Sequence, residues 1–229
     1  MIHSIKFLVL GLCLTIVILF SNSCGDTVKP TDPLSTNPVD YTWGKGSTYT
    51  YLYKAVKRDT TGRDTVLYEF TRVFSTDTNT VMLYNGKPSL KLVSRSVYPS
   101  TLDSGVFNIY AGNDALLLYD SPSDTTPSVM ISAPIVKERT FLSRLNSIKT
   151  DTLQYESLDE QCVTPAGTFR TIVVVKKQGS NTSRTFTSKQ WFSPGVGFVK
   201  NEDMEVLTYK TGKKDIITQT LLLQSYTRK

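Results

Sequence analysis

The chain has 229 residues, enough for one sizeable hydrophobic core or two small ones. Its net charge of +6 is spread along the chain without a run of five like charges, so the basic patch typical of a nucleic-acid-binding protein is missing. The single histidine is His3, inside an apolar leader. The chain that follows therefore cannot form a Ser-His or Cys-His nucleophile pair, a His-ligated zinc site or a histidine acid–base catalyst.

The first 23 residues have the order of a secretory signal peptide. Lys6 gives a positive start, Phe7 to Phe20 is an uninterrupted apolar run, and small polar residues lead directly to Cys24. Because a bilayer-spanning helix needs about 20 apolar residues, this shorter run favours a cleaved signal over a retained anchor. We therefore predict a signal peptide over residues 1–23.

The next stretch has the composition of a linker. Gly25 to Asp40 (GDTVKPTDPLSTNPVD) is rich in Pro, Thr and Asp and nearly free of large apolar side chains. We predict a flexible linker over residues 24–40 and a single β-rich domain over residues 41–229. Near the start of that domain, Trp43 is predicted to plug one end of the core.

Short runs of β-branched and aromatic residues, separated by turn sequences, fill the rest of the chain. Thr48 to Lys57 alternates so that Tyr49, Tyr51 and Tyr53 share one face of a strand, and Thr65 to Phe74 returns as the second strand of a hairpin. Further strands are predicted at Val81–Tyr84, Ser89–Tyr98, Gly105–Tyr110, Ala115–Tyr119, Val129–Ala133, Thr152–Cys162, Thr168–Lys177, Ser183–Phe192, Phe198–Leu207 and Lys214–Tyr226.

This rhythm indicates an all-β fold, an antiparallel meander that forms a half-open barrel or a strongly curved sheet. At most one or two short helices are expected. Ile135 to Leu145 is ambiguous, and a single helical turn or a helix is one interpretation of it.

Cysteines and acidic clusters give few candidate sites. Cys13 leaves with the signal, so Cys162 has no partner for an internal disulfide and is expected to be a small buried apolar residue rather than a nucleophile. The clusters Asp159-Glu160 and Glu202-Asp203-Glu205 could ligate calcium, but their spacing fits no EF-hand, and solvated strand ends are the favoured interpretation. No metal, cofactor or catalytic residue is predicted.

The residues LFSNSC that end at Cys24 resemble the lipobox of bacterial lipoproteins, where the cysteine is acylated and the signal is then cut. Ser23 fits that pattern, whereas Ser21 stands where leucine is usual. The resemblance implies lipid attachment at Cys24, with palmitate among the attached chains. Gly25 stands in place of the Asp that retains lipoproteins at the inner membrane, which favours the outer membrane, on its periplasmic or surface face.

Two later stretches carry a second resemblance. Val163 to Phe169 (VTPAGTF) and Trp191 to Lys200 (WFSPGVGFVK) are similar to a pattern of uncharacterised periplasmic lipoproteins related to LolA/LolB-like carriers. That resemblance implies a half-open antiparallel barrel that holds acyl chains. Read from the residues alone, Gly167, Gly195 and Gly197 serve backbone angles that a Cβ would forbid, and Trp191, Phe192 and Phe198 fill the core.

Together these features predict a membrane-anchored lipoprotein with a non-catalytic binding or structural role in the cell envelope. Its predicted partners are the membrane, through the lipid on Cys24, and either a hydrophobic ligand such as an acyl chain or another protein of the envelope. Nucleic acid is excluded as a partner. The alternative is a carboxylate-dependent hydrolase of envelope or extracellular glycan, since such enzymes need only a pair of Asp or Glu side chains.

Overall fold

The computed structural model describes residues 34–97, 102–146, 149–177 and 183–229. The chain divides into two compact units, Met1–Pro33 and Leu34–Lys229, and every described residue belongs to the second. The predicted signal peptide, Cys24 and residues 24–33 of the predicted linker therefore lie outside the described residues.

Within the described ranges the second unit consists of twelve strands and one short 3-10 helix, η1 (Pro38–Tyr41). The strands are β1 (Thr48–Arg58), β2 (Asp64–Met82), β3 (Pro88–Val97), β4 (Leu102–Ala111), β5 (Ala115–Tyr119), β6 (Ser128–Ser132), β7 (Thr140–Asn146), β8 (Lys149–Thr164), β9 (Gly167–Lys177), β10 (Arg184–Ser193), β11 (Gly197–Thr208) and β12 (Lys214–Thr227).

All twelve strands belong to one antiparallel sheet in the order β6-β5-β4-β3-β2-β1-β12-β11-β10-β9-β8-β7. Strands that follow one another in sequence pair with each other, except β6 and β7, and β1 also pairs with β12, for example Leu52 with Leu222. The two edges, β6 and β7, lie next to each other. The sheet is therefore a nearly closed barrel, which confirms the predicted all-β antiparallel meander.

Side-chain alternation sets the inner face of the barrel. Tyr49 and Tyr51 of β1 are fully buried, and the Tyr51 ring meets Phe74 of β2 edge-on at a centroid distance of 5.3 Å. The Tyr51 hydroxyl donates to the Phe198 carbonyl of β11 at 2.7 Å. The predicted tyrosine face of β1 is thus the face that packs inward.

The edge strands β6 and β7 are not paired in the sheet, and side-chain hydrogen bonds connect this part of the barrel instead. The Ser128 hydroxyl donates to the Arg144 carbonyl at 2.6 Å, and the Arg139 guanidinium donates to the Ser132 carbonyl at 2.8 Å. The buried Tyr155 hydroxyl donates to that same carbonyl at 2.6 Å and accepts from the Ser132 N–H at 2.9 Å. These bonds satisfy edge groups that would otherwise be unpaired away from water.

The segment from Leu34 to Trp43 covers one end of the barrel, and we call it the floor. Asn37 caps η1 by accepting from the Val39 N–H at 3.2 Å, and the Asp40 carbonyl accepts from the Gly195 N–H of the β10–β11 turn at 2.7 Å. Trp43 is 4% exposed and packs against Phe198 at a ring-centroid distance of 6.4 Å, in the place predicted for it. Residues 34–40 of the predicted linker thus lie against the barrel.

Two elements differ from the sequence prediction. The stretch Val81–Tyr84 is not a separate strand, because β2 continues through an irregularity between Thr76 and Thr80 as far as Met82. The ambiguous stretch Ile135–Leu145 holds no helix: it is a loop followed by β7. The alternation of β7 is hidden in the sequence, because polar Ser143 is buried while apolar Leu142 is 65% exposed.

Candidate functional site

A cavity of about 1010 Å³ occupies the interior of the barrel, and we call it the lumen. Every one of the twelve strands contributes a lining side chain, together with Trp43 of the floor. Tyr68 lines the lumen and is 60% exposed, so solvent reaches the cavity on that side. The volume lies at the upper limit of typical small-molecule sites, about 300–1,000 Å³.

Strand periodicity brings these side chains inside. Residues two apart on a strand share a face, and β2 and β10 follow this rule along the lumen. The lining residues of these two strands are Tyr68, Phe70, Arg72, Phe74, Phe186, Ser188 and Gln190. The alternation in the sequence therefore indicates which residues share a face of a strand. Because the sheet closes into a barrel, one of these faces lines the lumen.

The lumen side formed by β2 to β6 is mostly apolar, and we call it the apolar wall. Its apolar members are Tyr68, Phe70, Phe74, Leu92, Phe107, Leu118, Val129 and Met130. The Phe70 ring stacks on Tyr53 of β1 with centroids 4.6 Å apart. Among the described lining residues of this wall, Arg72 carries the charge.

The side formed by β7 to β12 carries most of the hydrogen-bonding groups, and we call it the polar wall. Its polar members are Ser143, Arg144, Asp151, Lys176, Ser188, Gln190, Asn201, Asp203 and Gln219. The lumen is therefore amphipathic across its width, with one side suited to hydrocarbon and the other to polar groups or water.

A buried ion pair occupies the β8–β9 part of the polar wall. The Lys176 Nζ lies 2.6 Å from the Asp151 Oδ2, and the two side chains are 9% and 7% exposed. The same ammonium lies 5.2 Å from the centroid of the Phe186 ring. Each charge compensates the other inside the barrel, where a single unpaired charge would cost several kcal/mol.

Amide and carboxyl groups line the β11–β12 part of the polar wall. The Gln219 Oε1 accepts from the Tyr53 hydroxyl at 2.9 Å. The Asn201 Oδ1 is buried and has no hydrogen-bond partner among the described residues. Asp203 lies next to Gln219 in the register and also faces the lumen. These acceptors can bind a ligand group or water.

The stretch with the second resemblance, Trp191 to Lys200, builds the barrel wall. Trp191 is 6% exposed and belongs to the hydrophobic core, as predicted. Its Nε1 donates to the Glu160 Oε1 at 2.8 Å, and the Lys200 Nζ lies 4.4 Å from its ring centroid. Phe192 and Phe198 point into the core and pack edge to face with centroids 5.6 Å apart. A shallow outer groove of about 350 Å³ lies beside Trp191. This stretch also contributes Phe198 to the lumen lining.

Cys162 lies in that groove with its side chain 5% exposed and no disulfide. Burial raises the pKa of its thiol, which keeps the sulfur protonated and a poor nucleophile. This confirms the prediction of a small buried apolar residue.

The predicted acidic clusters are mostly engaged in ion pairs on the sheet surface. These pairs are Asp159 with Arg170, Glu202 with Lys200, and Glu205 with Arg184. Within the described part of the chain, no group of three or more His, Cys, Asp or Glu side chains could hold a metal ion. Asp151 and Asp203 are the carboxylates that line the lumen there. The hydrolase alternative stays a prediction without a test.

No helix within the described ranges is long and apolar enough to cross a membrane. The predicted lipid attachment site, Cys24, precedes those ranges. The sequence pattern alone did not identify four of the lumen residues, Arg72, Lys176, Asp151 and Asn201. For Arg72 a signal was present, since it alternates with Phe70 and Phe74 and so shares their face.

The chain matches no protein-family model and no curated protein. Among solved structures it is similar to a candidate exported protein with a YmcC-like fold from Bacteroides fragilis, with 12% identity, a TM-score of 0.45, and coverage of 82% of this chain and 98% of that one. It is also similar to a candidate lipoprotein from Parabacteroides distasonis, with 17% identity, a TM-score of 0.45, and coverage of 86% and 100%. Likenesses at this level carry no conclusion about what this chain does.

Proposed function

We propose that this protein is a lipid-anchored, non-catalytic binding protein of the bacterial cell envelope, and that its lumen binds a ligand with a long apolar chain. The lumen carries the proposal: a cavity of about 1010 Å³, open to solvent beside Tyr68 and mostly apolar along one side. Such a surface gains from taking up hydrocarbon because each buried methylene contributes about 0.8 kcal/mol.

Two further features support a binding role without catalysis. Asp151, one of the described carboxylates in the lumen, is held by Lys176 at 2.6 Å, so it is compensated rather than poised to react. The sequence after the leader lacks histidine, which removes the commonest general acid–base residue. Lipid attachment at Cys24 would hold this binding domain beside a membrane, a source of apolar ligands.

The experiment measures uptake of a fluorescent fatty acid by the full-length protein and by two tryptophan variants. Ser188→Trp places an indole in the lumen from β10, where Ser188 is 8% exposed. Val163→Trp places the same indole on the outer face of β8, where Val163 is 72% exposed. We expect Ser188→Trp to reduce uptake at least about tenfold, a loss of about 1.4 kcal/mol of binding free energy, and Val163→Trp to leave it unchanged.

Native mass spectrometry of the gently purified protein gives an independent measurement. A bound lipid in the wild type that is absent from Ser188→Trp would support the lumen as its site. Equal uptake by the wild type and Ser188→Trp, with both variants folded by circular dichroism, would place binding elsewhere. Absence of any lipid or fatty-acid uptake in the wild type would contradict the proposal.

A further inference from the structure

The outer face of the barrel carries an apolar row close to the β1–β2 and β11–β12 turns. Cross-strand pairing puts four side chains in this row, which are Met204, Thr218, Val56 and Val66. Asp203 lines the lumen, so its neighbour Met204, and with it the whole row, faces outward. Three of these four outward positions therefore present apolar side chains on the solvent side of the sheet.

Exposed apolar side chains are concentrated around this row. Of the eleven large apolar side chains that are exposed in the described part of the chain, five lie here, each between 39% and 60% exposed; they are Val66, Leu67, Tyr68, Met204 and Tyr209. We call these five, together with half-buried Val56, Val206 and Ile216, the apolar corner. A contiguous apolar surface of this kind, bordered by polar residues, indicates an interaction site.

The two hairpin turns beside the apolar corner are basic. Residues 57–64 and 209–215 contain six basic and three acidic side chains, a net of three positive charges. Lys57 pairs with Asp215 at 2.7 Å, and Arg58 pairs with Asp64 at 2.8 Å. The other four basic side chains are exposed, and they are Arg63, Lys210, Lys213 and Lys214. Because β1 pairs with β12, the two turns are neighbours and their charges add to one field.

This combination fits the surface of an anionic bilayer better than it fits a protein. Apolar side chains enter the boundary between headgroups and acyl chains, tyrosine rings lie at headgroup level, and lysines contact lipid phosphates. Protein–protein interfaces, in contrast, are depleted in lysine. A second copy related by a two-fold axis would bring the basic turns of both copies to the same interface, where like charges repel.

We propose that the apolar corner and its two basic turns dock on the surface of a bilayer that contains anionic phospholipid. Tyr68 belongs to the apolar corner and also lines the lumen, so docking brings the solvent-open side of the lumen to the lipid surface. This contact is made by the protein surface itself, in addition to any lipid on Cys24. The inference goes beyond the proposed function, because it needs no ligand in the lumen.

The experiment measures insertion with a tryptophan reporter and vesicles whose acyl chains carry bromine, which quenches indole fluorescence on contact. Val66→Trp in the full-length protein puts the reporter in the apolar corner, while the native Trp43 and Trp191 are buried. Val163→Trp is the matched control, because Val163 is an exposed valine of β8, five strands from β1 in the sheet. On brominated phosphatidylglycerol we expect Val66→Trp to lose at least about twice the fluorescence that Val163→Trp loses.

The vesicle composition tests the charge of the docked surface. On brominated phosphatidylcholine, which has no net charge, the two reporters should lose equal fluorescence. Equal losses on phosphatidylglycerol as well would overturn the proposal. Stronger quenching of Val66→Trp that is the same on both lipids would overturn the role of the basic turns.

The lysines are tested in the Val66→Trp background. Replacing Lys210, Lys213 and Lys214 with Gln should abolish the excess quenching, because each lysine near an anionic surface contributes about fivefold to partition. The matched variant removes the same charge outside the two turns, at Lys45, Lys87 and Lys137, and should keep the excess quenching. An equal loss in both variants would assign the effect to net charge and overturn the proposed surface.

Amide hydrogen exchange of the unsubstituted protein keeps the test informative if a variant folds poorly. Phosphatidylglycerol vesicles should slow exchange at residues 59–63 and 209–213 and leave the β4–β5 turn, residues 112–114, unchanged. Protection of the first two turns by rising protein concentration without lipid would assign the apolar corner to a second copy and overturn the proposal. Failure of fatty-acid uptake bears on the lumen alone, so the two proposals fail separately.

Discussion

Asp215, the second residue of β12, is a charged side chain that the fold almost covers. Its Oδ2 lies 2.7 Å from the Lys57 Nζ of β1 and accepts from the Tyr209 hydroxyl at 2.7 Å, and the side chain is 5% exposed. The hydrogen bond from Lys57, then the one from Tyr209, and to a smaller extent the charge of Lys57, hold the pKa of Asp215 below its ordinary value. The ionised Asp215 carboxylate therefore stabilises the pairing of β12 with β1.

Because the pKa of Asp215 is lowered in the folded state, the stability of the fold is expected to decrease as the pH falls. A carboxyl group whose pKa is lower in the folded state stabilises the fold above its unfolded pKa of about 3.9, and the contribution is lost as the pH falls through the folded value. Asp215→Asn should therefore lower the thermal midpoint at pH 7 and differ progressively less from the wild type below about pH 3.9. Thermal melts from neutral to acidic pH, followed by circular dichroism, measure this difference.

Asp64→Asn is the matched control, because Asp64 also pairs with a cation at a hairpin, Arg58, but is 52% exposed. Exposed ion pairs contribute about 0–1 kcal/mol, so its effect at pH 7 should be the smaller of the two. An Asp215→Asn variant that melts like the wild type at pH 7 would contradict the inferred role.

Single residues also show where sequence analysis stops. Alternation placed Tyr49, Tyr51 and Tyr53 on one face correctly, because a strand repeats every two residues. The same rule places Arg72 with Phe70 and Phe74, a set that was not predicted as a site, and alternation alone does not tell which face of β2 lines the barrel. That is decided when β1 pairs with β12, a contact between residues far apart in the chain.

At the scale of elements, the floor and the β10–β11 turn depend on one glycine. Gly197 has a φ of 88°, and a Cβ there would lie 3.3 Å from the Tyr41 carbonyl oxygen, the Thr42 carbonyl carbon and the Trp43 nitrogen. The backbone of the floor thus approaches the turn as closely as a hydrogen side chain allows. The backbone role of Gly197 was predictable from the sequence, whereas its contact with the floor was not.

Gly197→Ala should cost stability through both effects. A positive φ in a non-glycine residue costs about 1–3 kcal/mol, and the new methyl group would also push the floor away from the turn. Gly86→Ala is the matched control, since Gly86 has a φ of 73° with nothing within 4 Å of its Cβ position. Denaturant unfolding should show a larger loss for Gly197→Ala, whereas equal losses would mean that the contact with the floor contributes nothing.

Element boundaries were predictable wherever turn chemistry is strong. The turn between β2 and β3 contains Asn85-Gly86, where Gly86 has a φ of 73°, and it lies between the segments predicted as strands at Val81–Tyr84 and Ser89–Tyr98. β7 was missed because burial alternates along the strand while the residue types do not follow that alternation. Because Leu142 lies outside and Ser143 inside, the sequence lacks the alternation of buried apolar and exposed polar residues that identifies a strand.

At the scale of the whole molecule, the lipobox prediction concerns a part of the chain outside the described residues. Cys24→Ala should abolish labelling with radioactive palmitate and partition into detergent, and should leave uncleaved precursor or soluble protein. Lipidation matters because one acyl chain alone binds a bilayer marginally, whereas several chains hold a protein there. Phase separation and autoradiography of whole-cell extracts measure both outcomes.

Cys162→Ala is the control for that experiment, because Cys162 is a buried cysteine within the barrel. It should keep the label and the detergent partition of the wild type. Label that persists in Cys24→Ala would show that the lipobox interpretation is wrong, and a retained Phe7–Phe20 segment would then explain membrane attachment.

The lumen as a whole could not be predicted from the sequence, although the curved sheet could. The strands, their order and their antiparallel pairing follow from local patterns and short connections. The cavity depends on how far the sheet curves before β6 meets β7, and β-bulges such as the one in β12, where Gln224 is the extra residue opposite Thr50 and Tyr51 of β1, bend and twist the strands. Such irregularities leave no clear mark in the residue pattern.

The pairing of β1 with β12 also fixes when the molecule can finish folding. A ribosome makes β1 first among the strands and β12 after the other eleven, yet the two lie side by side. Until β12 has been made, β1 and β11 each keep a free edge, and edges of this kind invite pairing with other chains. Contacts between segments this distant also form slowly. The barrel is therefore completed only after translation has passed Thr227, the last residue of β12.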